Sequence, residues 1–254
     1  MRHESSVFRA MRDIECVFHL AADPLVRESA GRPILSFDIN VRGTLNVLEA
    51  ARKRDVASIV FSSTSAAYGD AKVFPTPEVH PAIPISNYAA SKISAESYVA
   101  SYASTYGTKA TVLRYANIYG PRSHHGVMHD FYFKLKRNPD ELVILGNGKQ
   151  SKSYLFVTDC IEATISAHAK QRGTFNVFNV GSDRTMTVDE IAKDISSIMG
   201  LTPKYKYTGG KRGWVGDVNR MRLDVRKLKR ATGWKPTVSM RVGIGEYVKW
   251  LSTL

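Results

Sequence analysis

Tyr88-Ala-Ala-Ser-Lys92 places a phenol and an ammonium four residues apart. On a helix the two side chains share a face, and a nearby cation favours the phenolate that a proton acceptor needs. The spacing alone selects nothing, because Tyr68, Tyr88, Tyr132 and Tyr207 all have lysine at the fourth following position. Context singles out Tyr88. Upstream, the apolar run Ile59-Val60-Phe61 ends in the hydroxyls Ser62-Ser63-Thr64, the pattern of a strand with polar groups at its exit. Ser86 or Asn87 can cap a helix that starts at Tyr88. Thr64, Tyr88 and Lys92 then converge, and their chemistry is general acid–base work on a substrate hydroxyl.

The elements that must position these groups alternate between short apolar strands and amphipathic helices, which predicts an α/β fold with a parallel sheet covered on both faces. Cys16 to Ala21 reads as a buried strand, and Phe37, Val41, Leu45 and Leu48 trace a helix running to about Arg54. The Tyr88 helix turns Ala95, Val99 and Tyr102 inwards and stops at Gly107; Thr111 to Tyr115 is the next strand. Beyond Gly120-Pro121-Arg122 the alternation loosens into a helix over 130–136, a strand at Leu142 to Leu145 and a Gly146-Asn147-Gly148 turn. Strands at Tyr154 to Val157 and Phe175 to Val180 follow, with a helix after Asp159 between them. Thr187-Val-Asp-Glu190 is a capping box opening a helix closed by Gly200, before a basic tail with helices over 224–232 and up to Trp250. We assign 1–122 and 154–181 to a nucleotide-binding unit, and 123–153 and 182–254 to a smaller α/β substrate-binding unit.

The chain has 254 residues, 43% of them apolar, enough for a sizeable core. No apolar run reaches a membrane span and no signal peptide opens the chain, so no membrane partner is expected. Cys16 and Cys160 form neither a metal-ligand pattern nor a disulfide framework, which points to a reducing cytoplasm. The net charge of +13 suits an anionic small molecule or nucleic acid. The basic run from Arg220 to Arg230 has no interleaved aromatics, which argues against nucleic acid. His124, His125 and His129 lie close together without a carboxylate or cysteine set, so no metal is expected.

Several short motifs, in order, resemble the extended short-chain dehydrogenases/reductases and within them the UDP-glucose 4-epimerases. They are His19-Leu-Ala-Ala22, Asn40-Val-Arg-Gly-Thr44, Ser62 to Gly69, Tyr88 to Lys92, Leu113-Arg-Tyr-Ala-Asn117 with Gly120-Pro-Arg122, Gly146 to Gln150, and Gly216-Asp-Val218. The resemblance covers nearly the whole chain. It implies a Rossmann-like doubly wound sheet, NAD as cofactor, a UDP-hexose substrate and a homodimer. By the same resemblance Leu20, Ala21, Ala22, Asn40, Ser62, Tyr88, Lys92, Tyr115 and Ala116 line the cofactor site. Thr64, Tyr88, Asn117, Lys152 and Arg212 hold the sugar nucleotide. Tyr88 takes the sugar 4-hydroxyl proton while hydride leaves C4, Lys92 lowers the Tyr88 pKa and bonds the nicotinamide ribose, and Thr64 holds the same sugar oxygen. Asn40 is the residue whose type argues independently for a partner, since asparagine is a poor helix-interior residue.

The family's opening strand, glycine-rich turn and helix are not seen. Met1 to Ile14 resembles the helix leading into a fourth strand, so we expect an N-terminally shortened sheet that binds NAD weakly by itself. Gly210-Lys-Arg-Gly-Trp-Val-Gly216 fits the glycine spacing of a dinucleotide turn, but the preceding Lys204-Tyr-Lys-Tyr207 is charged rather than buried and no helix pattern begins at the third glycine. We read it as a substrate-side loop. Lys152-Ser153 stands where many relatives carry Arg-Asp, keeping a charge but losing a bidentate fork. Ser65-Ala66 stands where 4,6-dehydratases carry an acidic pair, which favours an epimerase. The alternatives are another nucleotide-sugar enzyme of this fold, or an inactive remnant binding RNA or a protein partner.

Overall fold

The structure, a computed structural model, describes residues 1–214 and 216–254. In chain order the first half comprises α1 (Glu4–Ala10), β1 (Cys16–His19), α2 (Pro33–Phe37), α3 (Gly43–Lys53), β2 (Ser58–Thr64), α4 (Asn87–Tyr106), β3 (Lys109–Tyr115) and β4 (Asn117–Tyr119). Then follow α5 (Val127–Arg137), β5 (Glu141–Ile144), β6 (Ser151–Phe156), α6 (Val157–Ala169), β7 (Phe175–Val180), β8 (Thr185–Thr187) and α7 (Val188–Ile198). The chain closes with β9 (Lys204–Tyr207), β10 (Arg220–Met221), α8 (Arg226–Thr232) and α9 (Met240–Leu251).

Strands β1-β2-β3-β7 form a parallel sheet in that order. Alternation along β2 sends Ile59 and Phe61 to one face, where they pack with Val7, Leu48 and Val99 of α1, α3 and α4. It sends Val60 to the other, with Ala163, Ala167 and Leu228 of α6 and α8. Both faces are therefore covered, as a near-continuous apolar β2 requires.

A second sheet pairs β6 with β4 and β10 in parallel and with β8 antiparallel, and β5 pairs with β9. The core beside it is built from α5, α7 and α9, with Phe131, Leu135, Ile191, Ile195, Ile244 and Leu251 buried together. The second sheet and its core cross the assigned unit boundary: β4 and residues 154–156 of β6, assigned to the first unit, hydrogen-bond within that sheet, and Tyr119, Tyr154 and Phe156 pack in its core.

The reading of Cys16 to Ala21 as a buried strand needs correction. The strand ends at His19 and is the edge of its sheet, with Phe18 42% and Leu20 56% exposed. An apolar run signals strand but not where in the sheet it lies. Among the described residues no helix is long and apolar enough to cross a membrane.

Candidate active site

Strand β2 delivers Ser62, Ser63 and Thr64 to its C-terminal end, where the chain leaves the sheet in a 3-10 turn over Ser65–Tyr68. Thr64 Oγ1 accepts the Ala66 N–H at 3.1 Å, capping that turn. Its proton is free to be donated, and the Tyr88 phenol lies near enough for Thr64 to favour its ionised form. Ser86 Oγ caps α4 by accepting the Ala89 N–H at 3.2 Å, and Gly107 closes the helix in the left-handed region at φ 73°. The buried Ser29 fixes the start of α4 further, since its Oγ accepts the Tyr88 N–H at 3.1 Å and its carbonyl accepts Asn87 Nδ2 at 3.0 Å.

Lys92 lies one turn further along α4, 2% exposed, with Nζ 4.2 Å from the centroid of the Phe61 ring. Burial pushes its pKa down to about 8, and the Glu96 carboxylate opposes that shift. Tyr88 is held above the usual phenol range, first by burial and then by the charge of Asp23, with the Thr64 hydroxyl opposing both. The expected lowering of Tyr88 by Lys92 is therefore corrected: in this structure desolvation outweighs every favourable contact, and the ammonium sits on the ring face of Phe61.

Asn40 lies in a π-helical turn (Asp38–Arg42) between α2 and α3, 1% exposed. Its Oδ1 accepts the Asp23 N–H at 2.8 Å, while Nδ2 donates to the Asp23 carbonyl at 3.2 Å and to Ser91 Oγ at 2.9 Å. The amide clamps the loop after β1 onto α4, so the partner its residue type called for is the protein's own backbone. Ser62 Oγ donates to the His19 carbonyl at 3.2 Å, and Leu20 and Ala21 are exposed beyond the strand end. Tyr115 turns its hydroxyl away, into α6, at 2.8 Å from Thr164 Oγ1. Thr164 already donates to the Cys160 carbonyl, so Tyr115 is the donor in that pair. Ala116 is buried beside Gly181, and Asn117 Nδ2 donates to the Ser153 carbonyl at 3.3 Å.

Lys152 and Arg212, the two cations expected at the sugar nucleotide, both have carboxylate partners that sequence spacing did not reveal. Lys152 Nζ is 2.5 Å from Asp217 Oδ1, and Arg212 is 2.6 Å from Asp70 across an exposed gap. Only Asp217 carried a signal beforehand, through its place in Gly216-Asp-Val218. The Gly210–Gly216 segment, whose Val215 lies outside the described residues, falls between β9 and β10 with no helix at its end. Its Gly213 N–H is donated to Asp217 Oδ2 at 3.1 Å rather than presented to a ligand.

His19, at the end of β1, is 4% exposed, with Nε2 2.9 Å from Thr44 Oγ1. Thr44 donates its proton to the Asn40 carbonyl at 2.6 Å, so Nε2 carries the imidazole proton. Burial, then the charges of Lys92 and the N-terminus, lowers its pKa to about 4. Between pH 6.5 and about 4 the unfolded chain takes up a proton the folded chain refuses, so stability is lost as pH falls through that window. A shift of this size corresponds to about 3 kcal/mol. Urea midpoints at pH 7 and 4.5 should therefore fall less in His19→Gln than in the parent; equal falls would remove His19 from the acid response.

The family described as GDP-mannose 4,6 dehydratase matches residues 1–247. A curated relative, the putative UDP-glucose 4-epimerase of Methanocaldococcus jannaschii, is 34% identical over 94% of this chain and 78% of its own length. The crystal structure of Thermotoga maritima UDP-glucose 4-epimerase with UDP-glucose superposes with a TM-score of 0.91 at 36% identity, covering 99% of this chain and 82% of that one. The Thermus thermophilus UDP-glucose 4-epimerase complex with NAD gives 0.89 at 34% identity, with the same 99% and 82% coverage. With a family match over residues 1–247 and relatives alike over nearly the whole chain, the chain belongs to the NAD-dependent epimerase/dehydratase family of nucleotide-sugar enzymes, alongside the UDP-glucose 4-epimerases.

Proposed function

We propose that this chain is a UDP-hexose 4-epimerase that interconverts UDP-glucose and UDP-galactose through a 4-keto sugar. The observation that carries the reading is the Tyr88 phenol beside the Thr64 hydroxyl at the exit of β2, with Lys92 one turn along the same helix. That solved relatives hold UDP-glucose and NAD supports it.

The residues present fit one half of NAD. Tyr88, Lys92 and the small Ala116 beside Gly181 suit the nicotinamide ribose end; a glycine turn joining a strand to a helix N-terminus, which would hold the pyrophosphate, does not occur among the described residues. The chemistry that bound NAD would supply is hydride exchange at the sugar C4. Tyr88 takes the 4-hydroxyl proton and later returns one. Thr64 donates to the same oxygen and keeps it oriented. The phenol at rest is held high by burial, and Lys92, one turn along the same helix, supplies positive charge only to the phenolate as it forms in the reaction. Lys152 and Arg212 exchange Asp217 and Asp70 for the diphosphate.

Nucleotide binding tests the reading. Saturating UDP at about 100 times its Kd stabilises a protein by about 2.7 kcal/mol, which for a chain of this size corresponds to roughly 5–10 °C in Tm. We expect that gain in the parent and less than about a third of it in Lys152→Ala and Arg212→Ala. Each variant is read as the difference with and without UDP, because Lys152→Ala also leaves Asp217 buried without its cation. A protein that ignores UDP but binds RNA with a steep salt dependence would be the remnant instead. Conversion of UDP-glucose is then assayed at millimolar NAD.

A further inference from the structure

Behind the Tyr88/Lys92 face lies a buried charged network that the reaction scheme leaves unused. Glu96 follows Lys92 by one helical turn and is 7% exposed. Its carboxylate receives Arg114 of β3 in a forked pair, Nε to Oε1 at 3.0 Å and Nη2 to Oε2 at 2.7 Å. Ser63 of β2, the residue before Thr64, donates its hydroxyl to Glu96 Oε1. Arg114 Nη1 reaches on to the Tyr68 hydroxyl at 3.0 Å and the Glu78 carbonyl at 3.1 Å, and Tyr68 donates to Asn179 Oδ1 at 2.7 Å. One carboxylate thus ties the strand that carries Thr64 to the helix that carries Tyr88 and Lys92, and ties both to the neighbouring strands.

A buried ion pair is a poor source of net stability, since desolvating two charges offsets most of their attraction. What it does reliably is fix a charge distribution in a place where water cannot screen it. We propose that Glu96, with Arg114 holding it, is a positioning residue for Lys92: its carboxylate keeps the buried ammonium charged, and Ser63 couples that carboxylate to the strand end bearing Thr64. The charges around Lys92 are few. Its own helix offers Glu96 and the neutral phenol of Tyr88, β1 offers His19, held neutral by burial, and β2 offers only the Phe61 ring. β3 offers Arg114, which lies behind Glu96. Glu96 is therefore the anion that opposes the desolvation of Lys92.

The inference rests on Lys92 being the cation that Tyr88 needs, but its test requires no turnover, so it can fail while the epimerase reading stands, and the reverse. The ionisation of Lys92 is followed by NMR in protein carrying ε-carbon-13 lysine, the signal being identified by its loss in Lys92→Met. In the parent it should titrate near pH 8. Glu96→Gln removes the anion and leaves Arg114 bare, so the midpoint should fall by about one unit or more. Arg114→Gln leaves Glu96 uncompensated, and the midpoint should rise. Both variants damage the same pair, so loosening of the fold would move Lys92 in one direction in both, upwards towards the exposed value. Opposite signs support the proposal; shifts of the same sign, or none, overturn it. The double variant Glu96→Gln/Arg114→Gln removes both charges and remains measurable where the single ones fold poorly. Its midpoint should lie above that of Glu96→Gln and below the parent's, because Glu96 stands nearer Lys92 than Arg114 does; a midpoint above the parent's overturns the proposal.

Discussion

Tyr88→Phe should lower the turnover of UDP-glucose about a thousandfold, the middle of the range for losing a positioned acid–base group. The ring is kept and only the oxygen is removed, so packing on Ser29 and Thr64 is disturbed little. The Tyr88 oxygen lies beside Thr64, and on the proposed mechanism it alone carries the proton to and from the sugar. KM should change far less than kcat, because binding through Lys152 and Arg212 is untouched. Progress curves for UDP-glucose and UDP-galactose at millimolar NAD measure both. A Tyr88→Phe enzyme with more than about a tenth of the parental rate would remove Tyr88 from the proton path and transfer attention to Thr64 or a bound water.

Gly69→Ala should be the most damaging single-methyl change near the site. Gly69 ends the turn that follows Thr64, with φ 55° and ψ −133°, a combination open essentially to glycine. A Cβ there would lie 2.1 Å from the Ile83 carbonyl oxygen and 3.2 Å from Ile85 Cγ2, the first contact being with backbone that has no rotamer to change. Relief requires moving the segment around Ile83–Ile85. That segment leads directly into Ser86, the cap of α4, so the displacement reaches Tyr88. Strain and clash together should cost about 3–5 kcal/mol, or roughly 6–20 °C in Tm for a chain of this length. Thermal unfolding by circular dichroism measures it; a change below about 1 kcal/mol would show that the loop yields freely and that Gly69 is dispensable.

What could be read beforehand was local. The α4 cap at Ser86, its end at Gly107, the capping box at Thr187–Glu190 and the hydroxyl exit of β2 each depend on residues within a few positions of one another, and the structure has them where their chemistry requires. What could not be read was partnership across long separations. Arg212 and Asp70 are 142 residues apart, and Lys152 and Asp217 are 65 apart. Nothing in either neighbourhood names the other, so the cations looked free for phosphate. Glu96 lay closer to view, since Tyr88, Lys92 and Glu96 recur every fourth residue along one helix face. Its forked partner on β3 supplies the meaning that spacing lacked. Asn40 is the instructive intermediate: its residue type correctly called for a hydrogen-bonded amide, but a loop backbone and a serine answer that need.

The uncovered rim of β1 has a consequence for how residues 1–254 behave in bulk solution. Phe18 sits on that outer strand, which is paired on one side only, and Leu20 lies exposed just beyond its end, an arrangement that templates contact between copies. A surplus of thirteen positive charges works against this by keeping molecules apart. That repulsion reaches about 10 Å in 0.1 M salt but only about 3 Å in 1 M salt. Colloidal behaviour should thus invert the usual habit of adding salt to keep a basic protein dispersed: light scattering should report single particles in dilute buffer and growing clusters as salt is raised, and Phe18→Lys should delay the onset.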